Sequence, residues 1–472
     1  TLVGGVVVIA WVMPEIVAAF ALYAFFSTDG TLNTLLSYIG LGGTTWLLTF
    51  PMFSVIMANI WRGTAFSMMV YSAALAEVPP EIQEAAKVDG ARGWQRFCFV
   101  TLPMIKGSIS TNLLLTTLQT LGVFTLLWVM TGGGPGTQST TLPVMAYQEA
   151  FKNSLIGYGT AIATVTIVLG ALFALVYIRL EAGGGLMATQ RKEIPSVANP
   201  REKTVRLISS TILALIGISF VVPLAWVLFA SFNPTATVSL SVPEHFTTSN
   251  YSDIATFDRT WLPLWNSAIL SFGTAILTVF VGALAAYPLS RYKSRFARGF
   301  MYTILFGTCL PITALMVPVY SLFVSMDLID SIPGIICFMT ATSLPMAVWM
   351  LKNFMDSVPV SLEEAAWVDG ASALKALRTI VLPLMKPGLL VVFIFIFTAT
   401  WGNFFVPFIL TTDPDIQPAA VAIYQFFGTH GAVVYGKLAA FAVIYSSPAL
   451  ILYAIMQKVS GGSFALAGAV KG

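Results

Sequence analysis

The sequence predicts an all-α, polytopic helical membrane protein, and three observations support this fold class. Hydrophobic residues make up 57% of the chain and charged residues only 10%, whereas a soluble domain usually carries about 25% charged residues. Apolar stretches recur along the chain and are long enough for membrane helices, which need roughly 20 residues. They are too continuous for barrel strands, and lipid-exposed backbone otherwise requires helices. A polar segment that occurs twice predicts two pseudo-symmetric halves.

We expect about ten membrane spans, four in the first half of the chain and six in the second. Their approximate positions are residues 3–26, 45–74, 108–130, 155–179, 204–232, 264–289, 299–325, 333–355, 388–411 and 437–457. Relative to the repeated segment, the first half lacks counterparts of the spans at 204–232 and 264–289. We therefore expect that the leading helices of the first half are absent from this sequence.

The segment 181–204 between the halves contains three consecutive glycines, two prolines and several basic residues, which is typical of a polar linker. The stretch that starts at Met187 reads like the beginning of a new polypeptide. We predict two halves that correspond to two subunits, residues 1–186 and residues 187–472, joined by nature or in this sequence. An ordinary loop between two helices is the alternative interpretation.

Charge and cysteine content exclude several function classes. The formal net charge of +3 is too small to indicate a nucleic-acid partner. The three cysteines, Cys98, Cys309 and Cys337, have neither metal-like nor redox-like spacing. His245 and His430 are far apart and fall in predicted loops, so we expect no metal site and no catalytic residues.

The basic residues predict the orientation of the chain in the membrane. If the ten spans alternate, 20 of the 24 Lys and Arg residues fall on one side. An excess of Lys and Arg marks the cytoplasmic side of a membrane protein. Both copies of the repeated polar segment lie on this side. We therefore predict a multi-pass protein of a cell membrane with both copies facing the cytoplasm.

The repeated segment is the most informative feature of the sequence. We call residues 78–106 the first repeat loop and residues 358–386 the second repeat loop; they align without a gap at an offset of 280 residues, with 12 of 29 positions identical. Proline suits a helix start and glycine permits tight turns, so each copy predicts a short helix that could transmit a push from a soluble partner. The residues that carry the pattern are Glu84, Ala85, Ala86, Asp89 and Gly90, and Glu364, Ala365, Ala366, Asp369 and Gly370.

This pattern resembles the EAA loop of the permease subunits of binding-protein-dependent ABC importers. The flanking sequence is similar to the maltose-type carbohydrate group, whose permeases have the type I fold. The segment Thr131-Gly132-Gly133-Gly134-Pro135 resembles the larger permease subunit of that group, and the terminal Gly468-Ala469-Val470-Lys471-Gly472 resembles the smaller one.

The resemblance implies a set of partners and a location. Each repeat loop would contact one of two cytoplasmic ATP-binding cassette subunits, with Glu84 and Glu364 as charged contacts and Gly90 and Gly370 shaping the turns. An extracytoplasmic solute-binding protein would deliver a sugar, and the chain would lie among lipids in a bacterial inner membrane. The sequence contains no G-x-x-x-x-G-K-[ST] motif. We therefore predict a non-enzyme without a cofactor, with ATP and Mg²⁺ bound by the partner subunits.

Polar residues inside the predicted spans are candidates for a substrate path. Arg62 lies 22 residues before Glu84 within an apolar span, where its guanidinium should face water, substrate or a carboxylate. The resemblance implies sugar contacts at the positions of Arg62, Gly63, Phe66, Thr116, Thr120 and Val123, and the chain departs from the maltose pattern at Arg62, Thr120 and Val123. Gln119 and Phe124 lie near the same helix face as Thr116 and Thr120.

Packing is the alternative interpretation of these candidates. Arg62 could extend its charge toward the outer surface, and Thr116 and Thr120 could bond within their helix or serve helix packing. Phe66 and Phe124 could be ordinary packing residues. For the whole chain, the predicted function is a carbohydrate permease that works by alternating access. The alternatives are an importer of a polyol, sugar phosphate or peptide, a secondary transporter, and a membrane-embedded enzyme.

Overall fold

The computed structural model describes residues 2–184, 202–292, 299–301, 303–304, 311–428 and 433–459. These residues form helices joined by loops, and no strand occurs among them. The predicted all-α membrane fold is therefore confirmed. The predicted boundary at residue 186, Cys309, His430 and the C-terminal segment 468–472 lie outside the described residues.

The helices of the first half vary from three to 29 residues in length. They are Leu2–Val12, Glu15–Phe26, Thr31–Ser37, Trp46–Thr49, Pro51–Ala76, Pro80–Val88, Gly93–Arg96, Leu102–Met104, Lys106–Leu121, Thr125–Met130, Leu142–Tyr147 and Ile156–Gly184. Two π-helical turns, Phe97–Thr101 and Gln148–Lys152, interrupt this series.

The helices of the second half include the longest apolar segments of the chain. They are Glu202–Ser231, Ser249–Ile254, Leu262–Arg291, Ile312–Ser325, Ile332–Asp356, Ser361–Val368, Ala373–Ala376, Leu382–Leu384, Lys386–Trp401, Phe405–Leu410, Ala419–Gly428 and Tyr435–Val459. Two further π-helical turns lie at Phe257–Trp261 and Leu377–Val381.

Length and composition support fewer than the ten predicted spans among the described residues. Five helices are long and apolar enough to cross a membrane, and the number rises to eight if each of three bent helix pairs is one span. The predicted spans at 45–74 and 299–325 are not among the eight. Pro51–Ala76 has 26 residues but carries Asn59 and Arg62, which make it less apolar. Ile312–Ser325 has only 14 residues, and residues 305–310 of that span are outside the described part.

Three predicted spans are interrupted rather than straight. The span predicted at 3–26 bends by 111° between two helices, because Pro14 has no N–H to continue the helical pattern and adopts an extended ψ of 138°. The spans predicted at 108–130 and 388–411 break at Gly122 and Gly402, which cap Lys106–Leu121 and Lys386–Trp401.

The two halves meet where these helices break. A Cβ atom built on Gly402 would lie 3.6 Å from Cα of Pro14, and one built on Gly122 would lie 3.3 Å from Cβ of Pro311. Each glycine of one half thus lies against a proline of the other half. A Cβ atom would be tight at Gly122, whereas the distance at Gly402 is an ordinary van der Waals contact. The helix breaks therefore form a pseudo-symmetric crossing between the halves.

Candidate functional sites

The two repeat loops have the same architecture, with equivalent elements 280 residues apart. In each loop a short helix, Pro80–Val88 or Ser361–Val368, is followed by a glycine turn, another short helix and a π-helical turn. The chain then bends by 68° in the first loop and by 79° in the second before it enters the long return helix. The sequence repeat is therefore also a structural repeat.

A glycine in the left-handed conformation ends the first helix of each loop. The φ angle is +79° at Gly90 and +81° at Gly370. One residue later, the Ala91 amide donates to the Ala86 carbonyl at 3.0 Å, and the corresponding bond in the second loop measures 2.9 Å. This pattern is the Schellman motif, which satisfies carbonyl groups at a helix end. A residue with a side chain would be strained at either glycine.

The predicted charged contacts lie on the surface of both loops. Glu84 and Glu364 are exposed. The neighbouring positions follow the same pattern: Ala85, Ala365, Asp89 and Asp369 are exposed, and Ala86 and Ala366 are half-buried. Equivalent residues of the two loops thus present the same groups to the surroundings.

Large apolar side chains are also exposed at equivalent positions of the two loops. Val88 is 86% exposed and Val368 is 88% exposed. Trp94 and Leu374, which are 280 residues apart, are 73% and 66% exposed. A single exposed apolar residue needs no explanation, but a patch bordered by polar residues indicates an interaction site. Here exposed apolar side chains occur at the same positions of both loops.

The two loops differ at one buried position. Glu363 is fully buried, and its Oε1 atom lies 2.5 Å from Nε of Arg291. The hydroxyl of Tyr287 donates to Oε2 of Glu363 at 2.8 Å. The equivalent residue of the first loop is Gln83, whose side-chain amide donates to Oγ1 of Thr101 at 3.4 Å. An ion pair therefore connects the second loop to a membrane helix, whereas Gln83 makes a contact within its own loop.

The apolar contacts of the two loops also differ, and again it is the second loop that is attached to the main part of the molecule. In the first loop, Val78 and Ile105 pack with Ala74 in a small separate cluster. In the second loop, the buried side chains belong to the main core of the molecule: Val358, Leu377, Val381 and Met385. The second loop is thus continuous with the membrane core, and the first loop rests on a smaller cluster.

Arg62 forms an ion pair inside the helical bundle. Its Nη1 atom lies 2.9 Å from Oε2 of Glu15, with the two side chains 32% and 22% exposed. Glu15 begins the helix that follows the break at Pro14. Arg62 was expected to face water, a substrate or a carboxylate, and in the structure it faces the carboxylate of Glu15. The pair is formally neutral and remains partly accessible.

One polar residue of the helix Lys106–Leu121 contacts the helix that carries Arg62. Nδ2 of Asn59, three residues before Arg62, donates to Oγ1 of Thr120 at 3.2 Å. Thr120 and Gln119 are exposed. The hydroxyl of Thr116 is buried without a hydrogen-bond partner in the structure. Thr120 thus contacts the helix that carries Arg62 through Asn59.

The remaining candidates contribute little exposed surface. Gly63, Phe66 and Val123 are half-buried. Phe124 is only 2% exposed, and its ring centroid lies 4.4 Å from that of Phe405 in the other half. The packing interpretation therefore describes Phe124 better than free ligand contact does.

A family model described as "Binding-protein-dependent transport system inner membrane component" matches residues 1–183 and 278–461. The chain belongs to this family. The two matched segments contain the two repeat loops, so each half carries one copy of the family's sequence pattern. Family membership identifies the chain as a membrane permease component.

Several sugar permeases are similar to this inner membrane component. It is 31% identical over 261 residues to the diacetylchitobiose uptake system permease protein NgcG of Streptomyces coelicolor, covering 54% of this chain and 86% of the relative. Two trehalose/maltose transport system permeases of Thermococcus litoralis also match. MalF is 33% identical over 178 residues, covering 37% of this chain and 60% of MalF. MalG is 30% identical over 276 residues, covering 57% of this chain and 98% of MalG.

A solved structure has a similar fold. It is a chain of a bacterial ABC transporter for the import of the acidic polysaccharide alginate, with a TM-score of 0.50 and 20% sequence identity. The similarity covers 56% of this permease and 99% of that chain. At this level of identity the comparison supports the fold.

The sequence did not predict a role for three charged residues that form ion pairs in the permease structure: Glu15, Arg291 and Glu363. Glu15 pairs with Arg62, and Glu363 pairs with Arg291. A signal for Glu15 was available, because a carboxylate within an apolar span requires a partner. For Glu363 the signal was weaker: it is the acidic residue of the second loop that Gln83 replaces in the first.

Proposed function

We propose that this chain is the translocation pathway of an ATP-driven importer whose two repeat loops dock two cytoplasmic ATPase subunits. The observation that carries the proposal is the duplicated surface of the loops. Two loops with the same glycine turn expose Val88 and Val368 to nearly the same extent, beside Glu84 and Glu364. A surface that occurs twice suits a partner that binds twice.

The nucleotide belongs to the partner in this proposal. The sequence lacks the G-x-x-x-x-G-K-[ST] motif that cradles nucleotide phosphates. ATP and Mg²⁺ would therefore be bound by the docked subunits, and the permease would perform no covalent chemistry. Closure of the ATPase pair would move both loops, and the helices that meet at Pro14 and Gly402 would alternate between inward-open and outward-open states.

The cargo is a sugar in this proposal, delivered by an extracytoplasmic solute-binding protein. The names of NgcG, MalF and MalG refer to diacetylchitobiose, trehalose and maltose, all of which are uncharged. The Arg62–Glu15 pair is formally neutral and offers both donors and acceptors. Because Glu15 already neutralises Arg62, the pair favours an uncharged polyhydroxylated ligand over an anionic one.

The two halves would correspond to two permease subunits in one chain. The first half, residues 1–186, carries the Arg62–Glu15 pair, and the second, residues 187–472, has Thr342 at the position equivalent to Arg62. The polar lining of the path would therefore come mainly from the first half, while both halves would dock an ATPase. The location would be a bacterial inner membrane.

A test of docking replaces the two shared glutamates. The permease with Glu84→Gln and Glu364→Gln, reconstituted in vesicles with its ATPase and binding protein, should insert normally and lose most ATP-driven uptake. The matched control is Glu81→Gln, which removes a carboxylate from the same helix where the second loop has Ser361. Uptake by the double variant at the rate of the control would count against docking at the loops.

A separate test concerns the cargo. A thermal-shift screen of the solute-binding protein that delivers to this permease, against neutral oligosaccharides, polyols, sugar phosphates and uronates, should identify a neutral oligosaccharide. The Arg62→Ala variant should then transport this sugar with altered affinity, because the variant leaves the Glu15 carboxylate unpaired in the path. An anionic ligand, or an unchanged transport profile of Arg62→Ala, would remove the pair from the substrate site.

A further inference from the structure

A single buried guanidinium joins three segments at the cytoplasmic end of the second half. Arg291 ends the long helix Leu262–Arg291 and pairs with Glu363 in the second repeat loop. Its Nη1 donates to the Met355 carbonyl at 3.1 Å, and its Nη2 donates to the Val358 carbonyl at 3.3 Å. The side chains of the ion pair are 4% and 0% exposed.

Burial of this ion pair costs free energy, and the hydrogen bonds around it offset that cost. Moving two charges out of water carries a large desolvation penalty, which is repaid only when the remaining donors and acceptors find partners. Here Tyr287 satisfies the second carboxylate oxygen of Glu363. Because a buried ion pair adds little net stability over an apolar pair of the same size, its value lies in fixing the mutual position of the segments.

This joint, the ion pair between Arg291 and Glu363, is specific to the second loop. Gln83 stands at the equivalent position of the first loop and bonds to Thr101 within that loop. Among the residues that the structure describes, no ion pair reaches the first repeat loop. The difference also excludes a direct role of Glu363 in contacting a partner, since its side chain has no exposed surface.

We propose that Glu363 and Arg291 are positioning residues that lock the second repeat loop to the helix Leu262–Arg291. A displacement of the loop by a docked ATPase is then transmitted directly to this helix, which packs along Ile332–Asp356 and Lys386–Trp401. The first loop transmits the same displacement through its small apolar cluster and moves more independently. This inference rests on the proposed docking function and adds an unequal role for the two loops.

The test measures the rigidity of the joint and the efficiency of transport in the same complex. Spin labels on cysteines introduced at Leu384 in the loop and Phe280 on the helix, in a background without the three native cysteines, report the distance between the two segments. Both sites are exposed, at 54% and 62%. The parent should give one narrow distance distribution, and Glu363→Gln should broaden it and raise the ATP hydrolysed per sugar imported several-fold.

Three further variants separate positioning from general damage. Lys352→Met breaks the neighbouring surface ion pair with Asp356 and should leave both readouts at the parent values. Glu363→Asp keeps the charge and should restore part of the coupling. If Glu363→Gln fails to assemble, Tyr287→Phe removes only one hydroxyl and should still raise the ratio of ATP to sugar.

The possible outcomes distinguish this inference from docking itself. Parent-like distances and coupling in Glu363→Gln, or in Tyr287→Phe where the first variant does not assemble, would overturn the inference. If Glu84→Gln with Glu364→Gln still abolished uptake, the docking proposal would stand without it. Loss of coupling in the Glu363 variant together with full uptake by the double variant would reject docking at the shared glutamates instead.

Discussion

The first and second repeat loops share a backbone but differ in their attachment to the membrane helices. Both have a left-handed glycine and a π-helical turn at equivalent positions. Exposed residues are shared between them, including Glu84 with Glu364 and Asp89 with Asp369. The buried position that anchors the second loop, Glu363, is glutamine in the first. The outward surface is thus repeated, while the inward attachment is particular to each half.

Under the proposed docking function, a pseudo-symmetric protein receives the same input twice and passes it on unequally. Docking of two like ATPase subunits would require both surfaces to keep the same shape, which fits the glycine turn that both loops share. The attachment has no such constraint, because each half packs against different helices. The second loop joins the main core, and the first rests on the cluster of Ala74, Val78 and Ile105.

The largest expected effect comes from breaking the buried ion pair. Arg291→Ala should lower the free energy of unfolding by about 3–5 kcal/mol, because it leaves the Glu363 carboxylate buried without a cation. The equivalent change in the first loop, Gln83→Ala, should cost about 1 kcal/mol or less, since it removes one weak hydrogen bond. Titration with SDS in mixed micelles measures both. Equal losses would mean that the two attachments are equally firm.

A smaller effect is expected where a helix of the second half packs against a glycine. A Cβ atom on Gly388 would lie 2.5 Å from Cγ of Phe354, so Gly388→Ala should cost about 1–3 kcal/mol through overpacking. The equivalent residue of the first half is Ser108, which already carries a Cβ atom. Ser108→Ala should therefore change the SDS midpoint much less. A neutral Gly388→Ala variant would show that Phe354 moves away without cost.

Alanine substitutions at the two glycine turns should lower stability equally, because the turns have the same conformation in both loops. Gly90→Ala and Gly370→Ala each place a side chain at a φ near +80°, at a cost of about 1–2 kcal/mol. No neighbouring atom lies within 4 Å of the new Cβ atom at Gly370, so backbone strain is the expected cause there. Clearly unequal costs would contradict the equivalence of the turns.

The smallest effect concerns the loop between Ile312–Ser325 and Ile332–Asp356 and depends on pH. Burial alone would raise the pKa of Asp330, but hydrogen bonds from the Thr412 hydroxyl and from the amides of Asp413 and Thr412 outweigh it and lower the pKa. The stabilising contribution is therefore present above the ordinary pKa of an aspartate and is lost as the pH falls through the lowered value. Stability measured between neutral and acidic pH should decline less in Asp330→Asn than in the parent.

The first half supplies the control for this pH dependence. Its loop between Thr125–Met130 and Leu142–Tyr147 is held by hydroxyl groups, with Oγ of Ser139 donating to the Gly134 carbonyl at 2.7 Å. Because a serine hydroxyl does not titrate in this range, Ser139→Ala should lower stability equally at every pH. An equal pH dependence of stability in the parent and in Asp330→Asn would show that Asp330 does not contribute to it.

Much of the fold and of the loop surface could be predicted from the sequence. A gapless repeat with proline before and glycine after a short helical stretch determines the local backbone, because both residues restrict or permit specific dihedral angles. The helices follow from long apolar stretches. The bend at Pro14 was less predictable, since proline in an apolar span can kink a helix slightly or break it.

The side-chain partners could not be predicted, because they join distant parts of the chain. Arg291 and Glu363 are 72 residues apart, and nothing in the local sequence indicates that one carboxylate of the Glu363-Glu364 dipeptide is buried and the other exposed. Arg62 required water, ligand or a carboxylate, and only the tertiary structure identifies Glu15. Phe124 fitted a ligand contact by position, yet it packs against Phe405.

The most direct measurement of the central proposal is the accessibility of the repeated surface with and without the ATPase. Single cysteines at Val88 and Val368, in a background lacking the native cysteines, are reacted with a membrane-impermeant maleimide in inside-out vesicles. Docking predicts fast labelling of both sites in the permease alone and strong, equal protection after the ATPase subunits are added. Undiminished labelling of both cysteines in a complex that contains the bound ATPase would contradict it.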